Sequence, residues 1–102
     1  MESQIKIKVL NLIGLAVRAR KASIGTDIVI SSIQKKEAKI VFIASDASHE
    51  TIKKIQDKCK YYKIDSCLLF DTTDINNAVG KNNVKVVSIN DSGFCNSIKS
   101  LI

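Results

Sequence analysis

The chain has 102 residues, of which 45% are hydrophobic and 25% charged, with a formal net charge of +6 and no proline. These proportions fit a single globular domain over residues 1–102, since domains commonly run to about 100–150 residues, and they exclude a disordered segment or flexible linker. No apolar run approaches the ~20 residues that span a bilayer, and Cys59, Cys67 and Cys95 are an odd set without a close pair, so no disulfide framework is expected and a reducing cytoplasm is the expected location.

Ile5, Val9, Leu10, Ile13, Ala16 and Val17 recur at three- and four-residue spacing, predicting an amphipathic helix of roughly four turns. Gly14 inside it costs about 1 kcal/mol relative to alanine, which predicts a closely packed neighbour. Ala22–Ile24 reads as a short strand. Thr26 is then expected to cap a second helix to about Lys36, with Val29, Ile30 and Ile33 inward and Asp27 in the dipole-favoured first turn. Lys39–Ala44 is a β-branched apolar run, expected as a strand covered on both faces. Ser48 or Asp46 is the expected cap of a third helix to about Tyr62, lined inside by Ile52, Ile55 and Cys59 and decorated by Lys53, Lys54, Lys58 and Lys60. Cys67–Phe70 predicts another strand, with Cys67 a buried small hydrophobe. Thr72 or Thr73 then caps a short helix stopped at Gly80. Val84–Ile89 predicts the fourth strand, and Asp91 caps a last helix ending near Leu101.

This alternation predicts an α/β fold, a mostly parallel four-stranded sheet with helices on both faces. Ligands of such sheets usually meet one end, where loops leave strands and helices begin. The loops at Gly25–Thr26, Ala44–Ser48 and Gly80–Asn83 are the candidates for a shared edge.

The stretch Lys21–Asp27 carries the chemistry. An extended piece ends at Gly25 and a helix begins, so backbone N–H groups point outward. Arg18, Arg20 and Lys21 precede it, and phosphate suits a helix start beside cations. RNA is therefore the first partner to consider. The same cations complement the dipole of the preceding helix by ~0.3–1 kcal/mol whatever else they do. Asp46, His49 and Glu50 offer acid–base groups within a few residues, but an exposed histidine in a first helical turn is commonly idle. The chain lacks a phosphate-binding Walker loop, a nucleophile elbow and a dinucleotide fingerprint, so no enzymatic activity is expected. His49 is distant in sequence from every cysteine, so neither a metal site nor a cofactor is expected.

Leu12-Ile13-Gly14-Leu15-Ala16-Val17-Arg18-Ala19-Arg20-Lys21 resembles the opening of bacterial proteins related to the ribosomal L-seven-Ae and L-thirty-e proteins. So do Ala38-Lys39-Ile40-Val41-Phe42-Ile43-Ala44-Ser45-Asp46-Ala47-Ser48, Lys58-Cys59-Lys60-Tyr61-Tyr62 and Ala78-Val79-Gly80-Lys81, in order and over nearly the whole chain. The resemblance implies a three-layer α/β/α sandwich that recognises kink-turn RNA, a sharply bent helix with tandem sheared G·A pairs. In that family a Gly-x-Asn-Glu-x-x-Lys pattern opens the second helix. Gly25 and Thr26 suit its start, whereas Asp27 stands for asparagine, Ile28 for glutamate and Ser31 for lysine. An ionised aspartate only accepts, isoleucine makes no hydrogen bond and serine is short and uncharged. By analogy with groove readout, each lost bidentate contact weakens discrimination by ~1–3 kcal/mol. The resemblance further places Ala44, Ser45, Lys81 and Asn82 around an extruded nucleotide. The expectation is a monomer that contacts no membrane and binds structured RNA, ribosomal RNA included. The alternative is a protein-interaction module of the same fold, favoured by an apolar Ile28.

Overall fold

The computed structural model describes residues 1–102. In chain order the elements are α1 (Ser3–Arg18), β1 (Ala22–Ile24), α2 (Thr26–Gln34), β2 (Ile40–Ile43), α3 (His49–Tyr62), β3 (Asp65–Cys67), α4 (Thr72–Val79), β4 (Val86–Ile89) and α5 (Ser92–Lys99). The side chains of β2 explain the layering, because successive residues of a strand point to opposite faces. Ile40 and Phe42 enter a core with Val9 and Ile13 of α1, Ile75 of α4 and Ile98 of α5. Val41 and Ile43 enter a second core with Val29 and Ile33 of α2 and Ile55 and Cys59 of α3. One continuous apolar run thus serves two cores, giving the expected three layers.

The sheet is mixed, which corrects the expectation of a mostly parallel one. Its strand order is β1-β4-β2-β3. Only β2 and β3 pair in parallel, and β4 runs antiparallel to both β1 and β2. The cause lies after α4. Gly80 ends that helix with φ 71, and the Asn76 Oδ1 accepts from the Val84 amide at 2.8 Å. The chain is folded back to the end of the sheet that it left after β3, so β4 must run in reverse.

The third strand also differs from its predicted span. It covers Asp65–Cys67, where Asp65 pairs with Ile40 and Cys67 with Phe42. Leu68 and Leu69 lie beyond it and are exposed, while Phe70 turns under the sheet with its ring centroid 5.8 Å from that of Phe42. A strand at a sheet edge can leave polar residues in water, so Asp65 and Ser66 form it despite their polarity. Cys67 is half-buried there, less enclosed than expected.

Two caps depart from expectation. Thr26 is the first helical residue of α2, and the capping position belongs to Gly25, which has no side chain to offer. Asp71, not Thr72 or Thr73, caps α4; its carboxylate accepts from the Asp74 amide at 2.9 Å and the Asp74 carboxylate accepts in return from the Asp71 amide. Of the two caps expected for α3, Ser48 is the one used, its hydroxyl accepting from the Thr51 amide at 3.2 Å. Asp91 caps α5 as expected, accepting from the Phe94 amide at 2.9 Å. Gly14 has its close neighbour too: a Cβ there would lie 2.8 Å from the carbonyl oxygen of Ala78 in α4.

Candidate nucleic-acid interface

Backbone hydrogen bonds bring the candidate loops together. The Gly25 amide donates to the Val86 carbonyl at 3.0 Å, the Ala44 amide to the Lys85 carbonyl at 2.7 Å, and the Ser45 amide to the Phe70 carbonyl at 2.9 Å. The start of α2, the loop after β2 and the loop before β4 therefore occupy one end of the sheet, as their shared edge required.

Gly25 adopts φ 99 and ψ 150, a conformation in practice confined to glycine. A Cβ there would meet nothing within 4 Å, so the position opens onto solvent. The Gly25 carbonyl accepts from the Val29 amide, beginning the helix ladder. The amides of Thr26, Asp27 and Ile28 have no acceptor in the chain. Three donors at the positive end of a helix dipole, beside a residue without a side chain, can hold an anionic oxygen.

Around these donors Asp27 is exposed, Ile28 is 60% exposed, and Thr26 is partly buried. Ser31 follows Ile28 by three residues on the same side of α2 and is partly buried. Ser45, Lys81 and Asn82 are exposed on the facing loops. Ala44 is the exception. Its side chain is fully buried in the first core and its amide is spent on Lys85, so it offers no contact surface.

The cations expected beside the helix start lie elsewhere, which corrects the picture of a positive rim. The Lys21 carbonyl accepts from the Asn90 amide, and Ala22 pairs with Ile89, at the end of β1 opposite Gly25. A three-residue strand places these two ends about 10 Å apart. Arg20 and Lys21 therefore sit at the other end of the sheet. Arg18 turns toward α4, lining a groove of ≈ 300 Å³ with Gly14, Asn77 and Ala78. At the α2 end the local charges are instead the carboxylates of Asp27, Asp46, Glu50 and Asp71 against Lys81 and Lys85.

Lys85, Thr72 and Asp46 form a hydrogen-bonded group at this end that the sequence reading missed. The Lys85 Nζ donates to the Thr72 Oγ1 at 3.0 Å. The Thr72 hydroxyl and amide donate to the Asp46 Oδ1 at 2.7 and 2.9 Å. Donation from the Thr72 hydroxyl, then from its amide, holds the Asp46 carboxyl below the usual carboxylate range. A general base tuned toward neutrality needs the opposite shift, so Asp46 serves here as an anchor between loops. A lysine interrupting the run Val84-Lys85-Val86-Val87 was the one available signal for this group.

Comparison with known proteins gives a consistent picture. Residues 7–99 match the profile of the family described as Ribosomal protein L7Ae/L30e/S12e/Gadd45. The chain is 45% identical over 95 residues to the RNA-binding protein YlxQ of Enterococcus faecium, covering 93% of this chain and 91% of that protein. It is 42% identical over 91 residues to the RNA-binding protein YlxQ of Bacillus subtilis (strain 168), covering 89% and 91% respectively. A solved protein of unknown function from Bacillus halodurans superposes with a TM-score of 0.87 at 34% identity, over 92% of this chain and 95% of that one. The Giardia lamblia 15.5kD RNA binding protein superposes with a TM-score of 0.84 at 16% identity, over 99% of this chain and 87% of that one, a likeness of fold.

Proposed function

We propose that this chain, which belongs to the Ribosomal protein L7Ae/L30e/S12e/Gadd45 family, binds structured RNA by seating a sharply bent segment on the start of α2. The observation that carries this reading is the set of unpaired amides at Thr26, Asp27 and Ile28, beside a glycine whose missing Cβ leaves open space. The relatives named as RNA-binding proteins support it. In this reading Gly25 and Thr26 supply backbone donors, Ile28 packs on a base or ribose, and Ser45, Lys81 and Asn82 flank the bent strand. Ser31 lies alongside without a charge to offer. The protein acts as a monomer in the cytoplasm, on ribosomal or other structured RNA.

Base reading through Asp27, Ile28 and Ser31 is weak, because an ionised Asp27 cannot donate, Ile28 makes no hydrogen bond and Ser31 is short and uncharged, unlike the asparagine, glutamate and lysine of the family pattern. Binding therefore rests on amide donation and shape. The test is a fluorescence anisotropy titration with a kink-turn duplex and a straight duplex of equal length. The bent RNA should bind more tightly. The triple variant Asp27→Asn, Ile28→Glu, Ser31→Lys should gain roughly tenfold or more, the worth of one restored bidentate contact. Equal affinity for the two duplexes together with an inert triple variant would show the site to be misplaced. Salt-insensitive association with a protein, seated on the exposed Ile28, would favour the interaction-module reading instead.

A further inference from the structure

The left-handed residues that follow the first three helices are all cations. Arg20 after α1 has φ 60, Lys36 after α2 has φ 61, and Lys63 after α3 has φ 57. Glycine takes this conformation freely, whereas another L-residue costs roughly 1–2 kcal/mol. By contrast α4 ends on Gly80, at φ 71.

Strand pairing gathers these cations. The Asn90 amide donates to the Lys21 carbonyl, the Lys39 amide donates to the Ile89 carbonyl, and Asp65, just after the Lys63 turn, pairs with Ile40. Arg20, Lys21, Lys36, Lys39 and Lys63 thus surround the end of the sheet remote from the α2 start. The carboxylates there are largely engaged. Asp91 caps α5, Asp65 is ion-paired with Lys99, and Glu37 is left.

An aromatic ring stands beside this basic end. Tyr61, in the last turn of α3, is 80% exposed. Its centroid lies 4.9 Å from that of Tyr62, the rings at 72°, and Tyr62 packs against the second core. The edge contact braces Tyr61 while leaving it open to solvent. Lysines at helix ends favour the dipole whatever they bind, but Lys21 and Lys39 lead into strands, and a dipole has no use for an exposed tyrosine.

We propose that this end is a second RNA surface, which takes an unpaired RNA segment with its phosphates along Arg20, Lys36 and Lys63 and a base stacked on Tyr61. Neutralised phosphates release counterions, and base–aromatic stacking is tolerant of sequence, so the surface holds RNA without reading it. It adds a site to the function proposed above and stands on separate residues. A four-residue β4 separates the two ends by about 13 Å, so both can be occupied at once.

The test titrates a labelled oligouridylate onto the free protein and onto protein presaturated with an unlabelled kink-turn duplex. The strand should bind in both cases with affinity within a few-fold. The double variant Lys36→Gly, Lys63→Gly should weaken it roughly tenfold and lower the log–log salt slope by about 1.4, some 0.7 for each lost phosphate contact. Both glycines suit their left-handed positions, so the variant should melt no lower than the parent and its loss cannot be blamed on unfolding. Tyr61→Ala should weaken the strand by roughly 5- to 100-fold and leave the kink-turn affinity unchanged. Displacement of the strand by the kink-turn duplex, an unaltered affinity in these variants, or no binding of the strand to free protein would overturn the proposal. If the kink-turn duplex itself does not bind, the titration of free protein still decides this surface alone.

Discussion

Replacing Gly25 with alanine separates the backbone role of the α2 start from its ligand role. The native φ 99 and ψ 150 lie in a region that costs a non-glycine residue roughly 1–3 kcal/mol. The added Cβ meets nothing within 4 Å, so no clash adds to that strain. A loss near 2 kcal/mol follows, which lowers the melting temperature of a domain this size by about 8–16 °C. At ~0.05–0.15 kcal/mol per residue the parent holds about 5–15 kcal/mol, so the variant stays more than about 99% folded at 25 °C. Any change in RNA affinity at that temperature is then a property of the folded site. Relaxation of φ toward values that alanine tolerates turns the adjoining amide donors from their present direction. Loss of one charge-assisted hydrogen bond, about 1.5–3 kcal/mol, should weaken RNA binding tenfold or more. Calorimetric melting and anisotropy titration on the same preparation read the two effects. An unchanged melting temperature would refute the need for glycine, and a lowered one with unchanged RNA affinity would refute the amide seat.

Gly14→Ala sets helix propensity against packing. Propensity alone would stabilise by about 1 kcal/mol, but the new Cβ would stand 2.8 Å from the backbone oxygen of Ala78, which cannot swing aside. Forcing α1 and α4 apart costs ~1–3 kcal/mol, so a urea midpoint below the parent is expected, and a midpoint above it would mean that the helices are not in close approach. The pH dependence of stability should carry the mark of Asp46. Its folded pKa lies below the ordinary value, so its contribution is present above that ordinary value and is lost as pH falls through the depressed one. Asp46→Asn should therefore flatten the acid limb of a stability profile below about pH 4, and a limb of unchanged shape would show that Thr72 does not hold the carboxylate.

Element order was legible because apolar spacing is a local property, and every predicted helix and strand has a counterpart within a few residues. Strand direction was not. The reversal of β4 depends on Asn76 reaching the Val84 amide, a contact between a helix and a loop that no periodicity encodes. The Cys67–Phe70 run misled for a related reason. Hydrophobicity marks what is buried, and Phe70 is buried outside the strand, while edge residues Asp65 and Ser66 pair without burial. The same limit separated the cations from the helix start. Arg20 and Lys21 are four to five positions from Gly25 along the chain, yet β1 is extended and puts them at opposite ends of the sheet, where a helix would have kept them within a turn.

That separation changes what the charge of the molecule means. A net charge of +6 next to a family resemblance suggests cations serving the family's site. The topology instead gives the α2 end amide donors set among carboxylates, and gives the opposite end the lysines that close α2 and α3. A polar chain reinforces that opposite end. The buried Ser88 donates to the Asn90 Oδ1 at 2.9 Å, the Asn90 amide nitrogen donates to the Ser23 Oγ at 2.8 Å, and Ser23 meets Ser32 of α2 at 2.6 Å. Each member is satisfied within the chain, so the turn that presents Lys21 is fixed to β4, β1 and α2 together. A lysine-rich surface that merely kept the protein in solution would need no such anchoring. In the reading proposed above, directional donors at one end and cations mounted beside this network at the other divide the work of holding RNA, shape at the first and phosphate charge at the second.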